Sequence, residues 1–460
     1  MADTAAAIAA LHRTGVQTPE ETIARCYARI AAYKDPAIFI TLRGQADAIA
    51  EARALPKSGD GMPLYGVPIA VKDNIDVAGF PTSAACPAFA YTPKHDATAV
   101  ARLRAAGAIV IGKTNLDQFA TGLVGVRSPY GVPRNTFRAD LVPGGSSSGS
   151  AVAVAAGLVP LTLGTDTAGS GRVPAAFNNI VGLKPSLGLV STFGVVPACR
   201  TLDCVSVFAL TVDDAWNTLT VIAGPDSKDS YSRMRPVGVP GVMPAGVKLG
   251  VPRKGQRLFF GDRDYEAAYD AALTRLNRLG CAIVEIDIEP FYETARLLYE
   301  GPWVAERTIV VRSLLASNPD AILPVTREIM VGGLKLSAIE AFTAFYRLEE
   351  LRRVAQRTFD EADALALPSA PTVYTLSQVL ADPIQLNSRL GSYTNFANLL
   401  DLCGLAVPAA ITPTGAPFGI TLLTRGGNDA RLAEIGRTFH ADTGLSLGAL
   451  KTPQPTSAPA

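Results

Sequence analysis

Pro143-Gly144-Gly145-Ser146-Ser147-Ser148-Gly149-Ser150 is answered, after an apolar segment, by Gly164-Thr165-Asp166-Thr167-Ala168-Gly169-Ser170-Gly171-Arg172. An isolated Ser/Gly run is usually a solvated turn or a linker. That reading fails here, because residues 151–163 between the two clusters are strongly apolar and a core has to bury them. Glycine lets the backbone take positive φ and lets a ligand approach the peptide N–H groups, while serine brings short hydroxyls that relay protons or attack a carbonyl. No Gly-Lys-Ser/Thr follows either cluster, so the phosphate-cradling P-loop pattern fails. The nucleophile elbow of the α/β-hydrolases needs a histidine, and the chain has only His12, His95 and His440. A Ser-His-Asp triad is open only to His95, in a Pro/Lys/Asp loop with nothing arranged beside it. A serine nucleophile in this chain therefore needs another proton acceptor, and lysine is the usual substitute.

Working outward, residues 67–71 read as a buried strand with Lys72 at its carboxyl end. A helix over 98–106 leads to a strand over 108–111 that ends in Gly112-Lys113-Thr114-Asn115. A helix over 148–156 leads to a strand over 159–163 that ends in Gly-Thr-Asp. Strands alternating with helices predict a largely parallel sheet. Ligands in such sheets sit outside the carboxyl ends of the strands, so Lys72, Thr114, Asn115, Thr165 and Asp166 share one rim with both Ser clusters.

The flanks add packing elements. Thr18-Pro19-Glu20-Glu21 reads as a capping box before an apolar stripe of Ile23, Tyr27 and Ile30, and another short helix is predicted over 45–55. Residues 180–210 predict loops and short strands, 213–223 a helix, and 225–245 an exposed connector. A further β-α-β unit is predicted over 247–251, 264–279 and 283–288. Helices are predicted over 291–315 and 334–358, strands over 364–367, 406–411 and 419–423, and a last helix from 429. The expected architecture is α/β, with a large mixed, mostly parallel central sheet covered by helices on both faces. Residues 1–440 form one catalytic domain, and 441–460 form a tail or a linker to a further domain.

Composition narrows the function. Across 460 residues, 42 Lys+Arg balance 41 Asp+Glu, which argues against nucleic acid or a membrane surface as partner. The six cysteines show no C-x-x-C pair and no nearby histidine, so neither a disulfide framework nor a metal site is suggested, and no cofactor is expected. No basic start precedes an apolar core at the N-terminus, and the longest apolar run, 151–161, is too short to span a bilayer. A cytoplasmic enzyme acting on a small substrate is expected.

Gly66-Val67-Pro68-Ile69-Ala70-Val71-Lys72-Asp73-Asn74, the loop 143–149, and the turn 164–174 continuing to Gly182-Leu183-Lys184-Pro185 occur in this order and spacing. Together they resemble the amidase signature family, and the resemblance covers most of the chain, to about residue 440. It implies the family's fold and a Ser-cisSer-Lys triad, with Ser170 as nucleophile, Ser146 as bridging serine after a cis Gly145–Ser146 peptide, and Lys72 as base. It also implies an oxyanion hole of backbone N–H groups at Thr167, Ala168, Gly169 and Ser170. A buried lysine suits this role, because desolvation disfavours its ammonium form. Many relatives carry glycine where this chain has Ala168, and a branched apolar residue where it has Gly171. Those departures alter the shape beside the nucleophile and leave the N–H donors in place.

Read singly, the same residues have plainer roles. A lysine at a strand end is most often a surface charge, and Ser146 can simply cap the following helix. Asp166 and Arg172 read as a pair that holds the loop, and Asp203 reads as structural.

Within the family, residues 119–131, 169–180 and 194–208 are similar to the allophanate hydrolases. That resemblance implies hydrolysis of allophanate (urea-1-carboxylate) to release ammonia, in urea or cyanuric acid breakdown, by a homodimer. It also implies that Gly122, Tyr299 and Arg307 hold the small anionic amide, arginine suiting a planar carboxylate through paired N–H bonds. For Arg307 the plainer role is a surface helix charge, and for Tyr299 it is core packing. Other readings stay open: an aliphatic amidase, the glutamine-hydrolysing component of an amidotransferase, or a catalytically silent scaffold that keeps the fold.

Overall fold

Side chains alternate between the two faces along a strand, and in this chain both sets are apolar. In Pro68–Lys72, Ile69 and Val71 enter one core while Ala70 enters another; in Ile109–Thr114, Val110 enters the first and Ile109 and Ile111 the second. Strands apolar on both faces require cover on both. Helices Pro19–Tyr33, Gln45–Ala54 and Ser148–Ala155 supply it to one core. Helices Thr98–Ala105, Val212–Ile222, Arg263–Arg278 and Asp429–Thr443 supply it to the other.

The computed structural model describes residues 3–452. Among the described residues one sheet contains β1 (Phe39–Leu42), β2 (Pro68–Lys72), β3 (Ile109–Thr114), β4 (Leu161–Thr165), β5 (Val181–Lys184), β6 (Val205–Ala209), β7 (Lys248–Pro252), β8 (Ala282–Ile286), β9 (Ala364–Pro368), β10 (Leu402–Ile411) and β11 (Pro417–Arg425). Their order is β1-β3-β2-β4-β6-β5-β10-β11-β9-β7-β8. The expected α/β architecture is present, and the sheet is mixed.

Parallel pairing is confined to two blocks, β3-β2-β4 and β9-β7-β8. The ladders outside them are antiparallel, so the expectation of a mostly parallel sheet holds only within the blocks. Parallel neighbours need a long crossover, usually helical, whereas antiparallel ones do not. No helix intervenes between β5 and β6, and a tight turn in which Thr412 N–H donates to the Ala416 carbonyl at 2.8 Å makes β10 and β11 a hairpin.

The helix predicted over 291–315 is two helices, Glu289–Glu300 and Trp303–Ser317. They part at Gly301-Pro302, because proline lacks the N–H and clashes in a helix interior. β1 lies where the sequence predicts no element. The last helix passes through the expected boundary at residue 440 and ends at Thr443. Beyond it Leu447 is buried, Asn179 donates to the Ser446 and Gly448 carbonyls at 2.8 and 2.9 Å, and Ala449 N–H donates to the Ala155 carbonyl at 2.9 Å. This part of the expected tail therefore packs on the body, while Met1, Ala2 and residues 453–460 lie outside the described residues. All six cysteines are buried and free. Among the described residues no single helix is long and apolar enough to cross a membrane.

Candidate active site

β2 and β4 run parallel with Val71 opposite Leu163, so Lys72 and Thr165 emerge side by side at their carboxyl ends. Lys72 Nζ donates to Ser146 Oγ at 2.8 Å and to Thr165 Oγ1 at 2.7 Å. Ser146 Oγ in turn donates to Ser170 Oγ at 2.9 Å. Lys72 and Ser146 are fully buried and Ser170 nearly so. Burial disfavours the ammonium form and brings Lys72 from 10.5 down to about 7, against the opposing pull of Asp117, Asp203 and Asp166 and with a small push from Arg307.

The peptide bond Gly145–Ser146 is cis. Ser146 does not cap the following helix: the N-cap of Ser148–Ala155 is Ser147. The hydroxyl of Ser147 donates to the Thr165 carbonyl at 3.2 Å, and that of Ser150 donates to the Leu163 carbonyl at 3.0 Å, so the serine-rich run is tied to β4 along its length. The loop is also tied from the other side. Gly145 N–H donates to the Leu123 carbonyl at 2.8 Å and Asp117 N–H to the Ser146 carbonyl at 3.0 Å.

The turn carrying Ser170 is held by Asp166 and Arg172, which pair as expected. Arg172 Nε and Nη2 donate to the two carboxylate oxygens at 2.8 and 2.9 Å, and Gly171 N–H donates at 3.1 Å. Asp203 accepts from the Thr167 hydroxyl and from the Ala198 N–H at 2.9 Å, which is the structural role expected of it. Gly169 has φ +144, and a Cβ there would meet Thr394 Oγ1 at 2.5 Å, so this turn admits only glycine at that position. Among the described residues, no protein acceptor takes up the N–H groups of Thr167, Ala168, Gly169 or Ser170.

Tyr299 and Arg307 form a second group, while Gly122 follows the Ala120-Thr121 pair that Arg307 contacts and lies against Asp117 and Arg127. Arg307 lies buried in the Trp303–Ser317 helix, not on its surface. Its Nη1 donates to the Ala120 carbonyl at 3.4 Å and to Thr121 Oγ1 at 3.2 Å, and its Nη2 to the Tyr299 hydroxyl at 3.4 Å. The guanidinium also stacks over the Tyr299 ring, 5.0 Å from its centroid. These bonds are long, and Arg307 Nε has no partner among the described residues, which leaves donor capacity for an anion. Tyr299 stands between two cavities of about 410 and 440 Å³, and Lys72, Ser146 and Ser170 line neither. The catalytic-type hydroxyls thus sit deeper than the open space beside Tyr299.

Sequence alone places Thr165 on the rim without a partner, and it does not single out Asp117, Arg127 or Asn387. Asp117 is buried and accepts from Gly125 N–H at 2.9 Å and Arg127 N–H at 2.8 Å. Burial pushes its carboxyl up. Arg127 Nη1 donates to the Thr121 carbonyl at 2.9 Å, and Asn387 Oδ1 accepts from Leu123 N–H at 2.7 Å. These residues fold the 117–127 loop back over the cis peptide. An Asp ten residues before an Arg is the only local signal they carry, and it is a weak one.

Known proteins share this arrangement of chain. A urea amidolyase of Lachancea kluyveri is 45% identical over 434 residues, covering 92% of this chain and 24% of that protein. The chain thus spans about a quarter of the length of that relative. A glutamyl-tRNA(Gln) amidotransferase component from Symbiobacterium thermophilum is 37% identical, covering 89% of this chain and 90% of that one. A solved Kluyveromyces lactis allophanate hydrolase superposes with a TM-score of 0.88 at 43% identity, covering 93% of this chain and 71% of that one. The model of the Amidase family matches residues 21–433, from within the helix Pro19–Tyr33 to within the helix Asp429–Thr443. On that match the chain belongs to the amidase family.

Proposed function

We propose that the chain hydrolyses allophanate, releasing ammonia through an acyl-enzyme on Ser170. The observation that carries this reading is the unbroken hydrogen-bonded run from a buried, half-neutral lysine through one serine hydroxyl to another. In this reading Ser170 Oγ attacks the amide carbonyl, its proton passes to Ser146, and the proton of Ser146 passes to Lys72. The tetrahedral oxyanion is received by the N–H groups of Thr167, Ala168 and Gly169, where one such donor is worth roughly 3 kcal/mol of barrier. On collapse, Lys72 returns a proton through Ser146 to the leaving nitrogen, and ammonia departs. Water, deprotonated along the same route, then cleaves the acyl-enzyme, and the carboxylated product leaves with Ser170 restored.

Substrate choice is argued from Arg307. A buried guanidinium with long partner bonds and a spare Nε favours a small anionic amide whose carboxylate it can grip, with the Tyr299 hydroxyl beside it; the Gly122 backbone joins them on the family resemblance alone. The similarity to allophanate hydrolase and to urea amidolyase supports the same substrate. The similarity to a glutamyl-tRNA(Gln) amidotransferase component, which the chain covers almost whole, favours glutamine as the second reading. Steady-state ammonia release from allophanate, biuret, malonamate and glutamine separates them. Allophanate is expected to give the highest kcat/KM, with Ser170→Ala and Lys72→Ala inactive yet folded. A preference for glutamine would replace the substrate assignment, and turnover by Lys72→Ala would remove lysine as the base.

A further inference from the structure

Asn398 lies in the short helical turn Phe396–Leu399, 232 residues beyond Asp166 in the chain. Its side chain is completely buried. Nδ2 lies within hydrogen-bond distance of three carbonyls, those of Asp166 at 2.7 Å, Leu202 at 2.8 Å and Thr167 at 3.1 Å, which its two hydrogens serve with one bond shared. Three acceptors around one atom assign it as the nitrogen, and among the described residues Oδ1 has no partner. The amide is therefore placed for what it donates.

The carbonyls it meets have a second significance. The Asp166 carbonyl and the Thr167 N–H belong to one peptide group, and the Thr167 carbonyl and the Ala168 N–H belong to the next. A hydrogen bond accepted at the oxygen of a peptide polarises its N–H, strengthening it as a donor by about 10–30% per bond. The same bonds fix the plane of each peptide, and so the direction in which each N–H points. Thr394, from the same stretch of chain, presses on Gly169 and its carbonyl accepts from Arg172 at 3.1 Å. The turn is thus buttressed from behind by the 394–398 segment.

We propose that Asn398 is a positioning residue for the oxyanion site, orienting and polarising the Thr167 and Ala168 N–H groups through the back of their peptides. The inference rests on the reading that these groups receive the oxyanion. It makes the donor strength of the site depend on a side chain 232 residues away in the chain that acts from behind the turn.

The test is Asn398→Leu, similar in size and without donors, with Asn398→Ser as a smaller variant that keeps one donor should the first not fold. Affinity for a boronic acid, whose tetrahedral adduct on Ser170 places an anion in the site, is compared with affinity for malonate, whose carboxylates stay trigonal and form no adduct. The expected result is a fall in kcat of roughly ten- to a hundredfold, less than the loss of a direct oxyanion donor. Boronate affinity should drop by a similar factor, with malonate binding and KM within about threefold of the parent. A folded variant with unchanged kcat and boronate affinity overturns the proposal. So does one in which malonate binding falls as far as boronate binding, and so does failure of both variants to fold, since each makes Asn398 a matter of stability alone. Ser170→Ala measured alongside separates the two levels: if it retains turnover, the oxyanion reading itself falls, whereas an inactive Ser170→Ala beside fully active Asn398 variants removes only this inference.

Discussion

Lys72 meets two hydroxyls and, among the described residues, no carboxylate at hydrogen-bond distance, so its charge state is decided by burial against more distant charges. The foremost of the carboxylates that favour its ammonium form is Asp117, itself buried. Asp203 and Asp166 act in the same direction, and Arg307 acts against them. Removing the negative charge of Asp117 while keeping its shape must therefore disfavour the ammonium further. In Asp117→Asn the acid limb of the kcat/KM profile, which reports the free lysine, is expected to move to lower pH from its position near 7. An unmoved or upward-shifted limb would show that Lys72 does not set it. At this scale most of the site is readable from sequence, because Lys72, Ser146 and Ser170 each sit in a local pattern and their common rim follows from strand direction. Thr165 shares that rim, but its bond to Lys72 depends on the relative register of β2 and β4, which no local pattern encodes. Asn398 and Asp117 each stand near other polar residues, Thr394 and Asn395 for one and Asn115 and Gln118 for the other, and nothing local distinguishes a clamp from an ordinary buried amide or acid.

Elements meet most closely where β5 passes the Ser170 turn. A Cβ on Gly182 would lie 2.0 Å from the Gly171 carbonyl oxygen and 2.7 Å from Ala175 Cβ. β5 is paired on both sides, with β6 and β10, and so has little freedom to retreat; the turn has to yield. Gly182→Ala is expected to cut kcat at least about tenfold, as misplacement by an ångström does. Gly250 in β7 is the contrast. There a Cβ meets Leu365 Cδ2, the end of a flexible side chain, at 2.8 Å, with Ile286 Cγ2 and Ala362 Cβ less crowded at 3.2 and 3.3 Å, and no backbone atom of the Ser170 turn. Gly250→Ala should lower the melting temperature and leave kcat alone, and equal kcat in the two variants would count against the link between β5 and the turn. The sheet is also where sequence reading stops. Apolar runs identify buried strands whichever way they point, so the parallel blocks follow from their intervening helices, while the direction of β5 and β6 depends on a loop that carries no periodicity. Gly301-Pro302 does carry a signal, a breaker pair, but the apolar spacing continues through it from Tyr292 to Val311 and masks the interruption.

Over the whole molecule, buried titratable groups in separate places pull stability in opposite directions as the pH falls. Asp214 accepts from the Ala5 and Ala6 N–H groups at 2.7 and 3.1 Å and so docks the N-terminal helix Ala5–Arg13, yet burial pushes its carboxyl up to about 6. Burial does the same to Asp203. The folded state takes up these protons before the unfolded chain does, so both groups add stability as the pH falls through 6 towards 3.8. His440 behaves in the reverse sense. Burial holds it down to about 3, so below 6.5 the unfolded chain is protonated while the folded state is not, and stability is lost as the pH falls. His12, lowered by burial, adds to that loss. Between about pH 7 and 5 each carboxyl contributes about 1 kcal/mol and His440 removes about 2 kcal/mol. None of these three groups contributes to another's shift, so their effects should nearly add. The thermal midpoint is therefore expected to stay almost level across this interval. In His440→Gln it should rise by a few degrees from about pH 7 to about pH 5, and in Asp214→Asn it should fall. A steep acid fall in the parent that persists unchanged in both variants would place the acid-sensitive groups elsewhere.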